Sequence, residues 1–190
     1  MNELQLAYGQ LVLALEELEL PYAIGGSIAS ATFGIARATQ DIDLVVDLTP
    51  EQARKLALRL AGGFAVDAEA AREAIARNRP FNAIHLGSAF KFDIFPATFF
   101  AHGFEEIRRR RMMPGTGLVP EGLVPVVSPE DIILAKLAWY RDGGSTSERQ
   151  WRDLQSVWEA RRDELDREYL EGWAGKMGTR EVLAKLTGWE

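Results

Sequence analysis

The chain contains no cysteine, which excludes disulfides, thiol nucleophiles and cysteine-ligated zinc together. Histidine is almost as scarce. His85 and His102 are the only two, too few and too unpatterned for a zinc site, and both read as incidental. No apolar run approaches the roughly 18 residues that cross a bilayer, so no membrane span is expected. No G-x-S-x-G element occurs, which removes the usual elbow of a serine hydrolase. Met1-Asn2-Glu3 has none of the basic residues that open an export signal, and Glu16, Glu17 and Glu19 give the first segment the look of an amphipathic helix. These absences fit a cytoplasmic protein. Positive charge is also short, with 22 Lys and Arg against 28 Asp and Glu and a net charge of -6. Broad, sequence-blind binding to DNA depends on releasing counterions from many phosphates, so it is not expected here.

What remains is an ordinary apolar content of 47% over 190 residues, enough for one substantial core. Leu4, Leu11, Leu15 and Leu18 mark an opening helix over 3–19 that Pro21 ends. Tyr22 to Ile24 reads as a strand, Gly25-Gly26 as a turn, and Ser27 as the N-cap of a helix reaching about Phe33, with Gly34 as its stop. Period-two alternation predicts a strand from Asp41 to Val46, and Pro50 opens a helix that Gly62-Gly63 closes. A short strand at Phe64 to Val66 and a helix over Ala68 to Arg77 follow. "FNAIHL" and "AFKFDIF" flank Gly87-Ser88 as a hairpin. The stretch "RRRR", Arg108 to Arg111, is either a solvated face or an anion-binding edge. Ser128-Pro129-Glu130-Asp131 starts a helix to about Tyr140, Ser147 and Gln150 form a capping-box pattern for the next, and two more are expected over 163–174 and 178–188. The expected fold is α/β of the α+β kind, a mixed sheet flanked by helices over residues 1–127, with a helical region over 128–190 packed on it. Trp139, Trp151, Trp158 and Trp173 of that region read as packing residues, with contact of one of them to a base or a partner as the alternative.

The chemistry concentrates in two short stretches. In "DIDLVV" the carboxylates of Asp41 and Asp43 point to one side of a strand, about 6 to 7 Å apart. Like charges at that spacing call for a cation, and Mg²⁺ takes one or two carboxylates before completing its shell with water and phosphate oxygens. Asp93 lies on the same kind of strand in "KFDIF" and joins the pair if the strands are neighbours. Gly25-Gly26-Ser27 provides the complementary half: glycines let a phosphate approach the backbone, and the helix behind them presents free N–H groups. Arg37 and Lys91 can either neutralise phosphate or act as surface salt-bridge partners.

The order "IGGS", "DIDLVV", "KFDIF", with thirteen residues between Ser27 and Asp41, resembles the signature of the DNA polymerase β-like nucleotidyltransferase superfamily. Within it the chain is similar to the minimal bacterial nucleotidyltransferases, a group that includes relatives of abortive-infection toxins and of antibiotic-modifying enzymes. "RATQDIDL" and "SPEDIILAKL...SERQWRD" carry the same likeness over about residues 20–160. The resemblance implies that Gly25, Gly26 and Ser27 hold a nucleoside triphosphate, that Asp41 and Asp43 ligate Mg²⁺, and that Asp93 both ligates metal and activates the acceptor hydroxyl. The three carboxylates suit two metal ions that clamp the attacking and leaving oxygens. The resemblance places the helix bearing Lys136 near the cleft, where Lys136 is a candidate to meet the triphosphate, as is Arg37 from its place just before the D-x-D strand.

The function expected from these residues is transfer of a nucleoside monophosphate from an NTP to a hydroxyl, with release of pyrophosphate. The acceptor is open among a protein side chain, a tRNA end and a small molecule. The alternative is a catalytically silent domain of the same fold that serves as a binding or regulatory protein of toxin–antitoxin type. The helical C-terminal portion offers a surface for a homodimer or for a protein partner.

Overall fold

The computed structural model describes residues 2–35, 39, 41–115 and 117–189. Helix α1 (Glu3–Glu17) starts on Asn2, whose side chain accepts from the Gln5 N–H while the Gln5 side chain returns the bond, a complete capping box. Strand β1 (Tyr22–Ile24) runs into α2 (Gly26–Phe33), and β2 (Asp41–Val46) is followed by α3 (Pro50–Leu60), which Thr49 caps. The N-cap of α2 is Gly25 rather than the expected Ser27, and it makes no side-chain cap bond. The helix starts early because Gly26, at φ 55°, turns the chain in a way a bulkier residue resists.

Next come β3 (Phe64–Ala65), α4 (Ala68–Ala76) and the hairpin strands β4 (Phe81–His85) and β5 (Lys91–Pro96). Helix α5 (Gly103–Arg108) precedes a second hairpin, β6 (Arg111–Pro114) and β7 (Leu123–Val126), which occupies the loosely patterned Pro/Gly-rich stretch. Four helices complete the described chain: α6 (Pro129–Asp142), α7 (Glu148–Arg161), α8 (Arg167–Met177) and α9 (Arg180–Thr187). Ser128 caps α6 as its sequence signal demands, accepting from the Asp131 N–H at 3.2 Å.

The seven strands found among the described residues form one mixed sheet in the order β3-β4-β5-β2-β1-β7-β6. Strands β2 and β5 are parallel neighbours, which the α3–β3–α4–β4 crossover between them makes possible. Their register pairs Asp41 with Lys91 and Asp43 with Asp93. Because both strands alternate with the same phase, Ile42, Leu44, Phe92 and Ile94 are all buried on one face, each contributing about 1.5–3 kcal/mol. Asp41, Asp43, Lys91 and Asp93 are left together on the other. One continuous apolar cluster runs from Ala7 in α1 through the strands to Leu186 in α9, with Ile132, Ile133, Leu134 and Leu137 of α6 in its midst. Helix α6 is thus rooted in the core along most of its length, and it holds its polar residues at fixed positions beside the acidic face of the sheet. No helix among the described residues is long and apolar enough to cross a membrane.

Candidate active site

A cavity of about 270 Å³ opens over that face, bounded by the Gly25-Gly26-Ser27 bend, the three aspartates and α6. The bend reaches it because β1 pairs antiparallel with β2, Ile24 opposite Leu44. The Gly25 N–H then extends the ladder by donating to the Asp43 carbonyl at 2.9 Å. Gly26 passes so close beneath Asp43 that a Cβ built on it would lie 1.7 Å from Oδ2. The Ser27 backbone N–H hydrogen-bonds to the Asp43 carboxylate. The glycine turn and the D-x-D strand are therefore one construction rather than two neighbouring motifs.

The acids differ in their surroundings. Asp43 is held above its ordinary 3.8, first because it is buried and then because Asp93 faces it, with Lys136 and the Ser27 N–H pulling the other way. Asp93 accepts from the Asn82 amide on β4 with one oxygen and from the Lys91 ammonium, 2.9 Å away, with the other. Asp41 lies at the exposed rim, its Oδ1 3.5 Å from the same ammonium. Lys91 is thus the cation between two of the three carboxylates, and their hydrogen bonds and charges hold it above its ordinary 10.5.

Lys136 stands on α6 at the cavity wall, almost fully buried. Its ammonium donates to Asp153 at 2.8 Å and Gln150 at 3.1 Å, both on α7. Gln150 gives its N–H to Ser147, but its side chain turns to Lys136 instead of closing the expected box. Arg37 lies outside the described residues. The remaining expected site residues, Gly25, Gly26, Ser27, Asp41, Asp43, Asp93 and Lys136, all border this cavity.

Other groups line the same space without a motif to announce them. Trp139, one turn beyond Lys136 and 41% exposed, stacks on Phe99 with ring centroids 5.6 Å apart and meets Phe95 and Phe100 edge-on. The i, i+3 spacing from Lys136 is the one sequence signal for it. Glu106 of α5 is buried in the wall; its Oε1 is 3.5 Å from His102 Nε2, and its other oxygen has no hydrogen-bond partner among the described residues. His102 is therefore a structural group and not an incidental one, whereas His85 bonds to Ser88 in the β4–β5 turn.

The arginine run is divided among local acceptors. Arg108 pairs with Glu105. Arg109 lies 3.9 Å over the Tyr169 ring and 3.4 Å from Glu130. Arg110 donates to the Ile107 carbonyl at 2.6 Å, and Arg111 approaches Glu130 at 3.8 Å.

The donor set suits a hard divalent cation, since the two strand carboxylates facing each other at Asp43 and Asp93 are oxygen donors, and the charge of Asp93 makes Asp43 costlier to ionise. Among the described residues no three His, Cys, Asp or Glu side chains are grouped closely enough to form a ready-made metal centre. The arrangement is a facing pair, with Asp41 tied to Lys91.

The fold is shared with solved nucleotidyltransferase structures. The solution structure of the antibiotic-resistance factor ANT(2'')-Ia aligns over 97% of both chains with a TM-score of 0.56 at 18% identity. A crystal structure of ANT(2'')-Ia in complex with adenylyl-2''-tobramycin aligns over 93% of this chain and 98% of that one, with a TM-score of 0.53 at 17% identity. An antigenic nucleotidyltransferase-like protein from Paracoccidioides brasiliensis gives 0.53 at 16% identity, over 98% of this chain and 92% of its own. Among curated proteins none matches. The family described as nucleotidyl transferase AbiEii toxin, type IV TA system, matches residues 13–176. That span takes in the glycine bend, all three aspartates and the Lys136–Asp153 pair, and the chain belongs to this family, within the DNA polymerase β-like nucleotidyltransferase superfamily.

Proposed function

We propose that the chain transfers a nucleoside monophosphate from an NTP to an acceptor hydroxyl in a Mg²⁺-dependent reaction. The observation that carries this reading is the register of β2 on β5, which sets Asp43 opposite Asp93 beside the Gly25-Gly26 bend. The backbone N–H groups at the start of α2 receive the triphosphate, and Lys136 adds positive charge from the facing helix. Asp41, Asp43 and Asp93 are the residues that would hold Mg²⁺, which when bound polarises the phosphoryl oxygens and offsets charge on the leaving pyrophosphate. Asp93 accepts the proton of the attacking hydroxyl; the new bond joins that oxygen to the α-phosphorus, and the bond from the α-phosphorus to the β-phosphate oxygen breaks. Trp139 and Phe99 present a flat apolar wall for a planar or ring-bearing part of either substrate.

The acceptor is a hydroxyl of a protein, a tRNA end or a small molecule. Adenylyl-2''-tobramycin in the ANT(2'')-Ia complex is an example of the last in a protein of the same fold. The test is incubation with each α-labelled NTP, Mg²⁺ and a cell extract. Label is expected on one macromolecular or small-molecule fraction, and Asp43→Asn is expected to remove it. Transfer that survives Asp43→Asn would contradict the reading. Tight NTP binding without transfer to protein, RNA or aminoglycoside would favour a silent regulatory domain instead.

A further inference from the structure

The expected pair of metal ions meets an obstacle at Lys91. Its ammonium is 2.9 Å from Asp93 Oδ2 and 3.5 Å from Asp41 Oδ1. This position is built into the sheet, because Lys91 lies directly opposite Asp41 in the parallel register and two residues before Asp93 on one face of β5. The remaining Asp93 oxygen is taken by Asn82, which the antiparallel β4–β5 register places opposite it. Both Asp93 oxygens thus already have cationic or amide donors from the protein. Asp43 is different: its carboxylate meets a backbone N–H and the more distant charge of Lys136, and Lys91 makes its ion pairs with the other two acids.

We propose that Lys91 is a built-in cation that takes the place of one of the two divalent ions, so that the site works with a single metal ion centred on Asp43. This rests on the nucleotidyltransferase reading above and adds to it a residue and a metal count. A divalent ion bridging Asp41 and Asp93 would have to displace an ammonium already bonded to both, whereas an ion at Asp43 relieves the repulsion between Asp43 and Asp93 without displacing a protein cation. Lys91 also keeps Asp93 oriented, with Asn82 as the second tether, so it is a positioning residue for the group that accepts the acceptor's proton.

The experiment counts Mn²⁺ ions bound per chain by calorimetry and by electron paramagnetic resonance, with a non-hydrolysable NTP present. The wild type and Lys91→Arg are expected to bind one ion, and Lys91→Met to bind two. Thermal melts accompany each variant, and Lys91→Gln provides a second uncharged replacement should Lys91→Met fail to fold. Two ions in the wild type, or one in both uncharged variants, would overturn the proposal while leaving the transferase reading intact. A wild type that takes up neither Mn²⁺ nor nucleotide would overturn that reading and this inference with it.

Discussion

Gly26 lies directly beneath Asp43, with the space a Cβ would need already filled by the carboxylate at 1.7 Å. Gly25, its neighbour, has nothing within 4 Å of the same construction. The two glycines therefore answer to different demands, and they make a matched pair of variants. Gly26→Ala must push Asp43 or the bend aside and also strains a backbone at φ 55°. A displacement of about 1 Å at a reacting centre costs on the order of a hundredfold in rate. Gly26→Ala is expected to lose NTP transfer by that order, while Gly25→Ala stays within several-fold. NTP affinity, single-turnover rate and thermal melting of the two proteins check the contrast; equal effects would remove Gly26 from the site's construction.

Asp43→Asn is expected to inactivate and stabilise at once. Activity should fall at least about a hundredfold, because in the proposed reaction a metal ligand at Asp43 is worth several kcal/mol of transition-state charge. Stability should move the other way. Burial and Asp93 raise the Asp43 carboxyl above 3.8, so the folded state favours its protonated form. That contribution is complete below 3.8 and is lost as pH rises through the folded value. Asparagine mimics the protonated form at every pH. The variant should therefore melt a few degrees above the wild type at pH 7 without metal, and the advantage should vanish on acidification towards 3.8. Melting curves across that interval decide it.

Much of this site is legible in the chain because its signals are local. The alternation in "DIDLVV" and "KFDIF" assigns the aspartates to polar faces, and the Ser128-Pro129 start places Lys136 on a helix. What the chain does not reveal is register. Nothing local states that Asp43 stands opposite Asp93 rather than Lys91, or that Asn82 reaches Asp93 from the next strand, since both depend on a parallel crossover and a hairpin set by packing of the opposite face. The Ser27 cap signal fails at α2 because a tertiary demand, the close pass beneath Asp43, starts the helix at Gly26. Trp139 carries a core residue's signature yet borders the cavity, because α6 is buried on most sides and leaves this position open.

Lys136 and Asp153 form a nearly buried ion pair at 2.8 Å that ties α6 to α7. Removing one partner of such a pair leaves an uncompensated buried charge and costs about 3–5 kcal/mol. Lys136→Met alone is expected to show this loss in urea unfolding. A second change, Asp153→Leu, removes the carboxylate that Lys136 bonded and should restore part of the stability. It cannot restore the positive charge at the cavity wall, so the double variant should remain weak in NTP binding. Recovery of binding along with stability would mean that Lys136 serves only the fold.

His102 is fully buried beside Glu106, its Nε2 3.3 Å from the Asp131 carbonyl oxygen and 3.5 Å from Glu106 Oε1. Burial alone would lower it, but the Glu106 bond and the charges of Glu106 and Asp131 outweigh that and raise it above 6.5. Glu106 is itself raised above 4.5 by burial, against the pull of His102. Each group holds its proton to higher pH in the folded chain, so both contributions are lost as pH rises through the folded values. The melting temperature is expected to decline through an interval that opens above 4.5 and continues past 6.5. His102→Gln and Glu106→Gln should each flatten part of this decline. Glu106→Gln should also, by withdrawing the acceptor, bring the His102 titration down, which imidazole proton resonances followed against pH will show. A His102 titration that does not move in Glu106→Gln would break the link between the two groups.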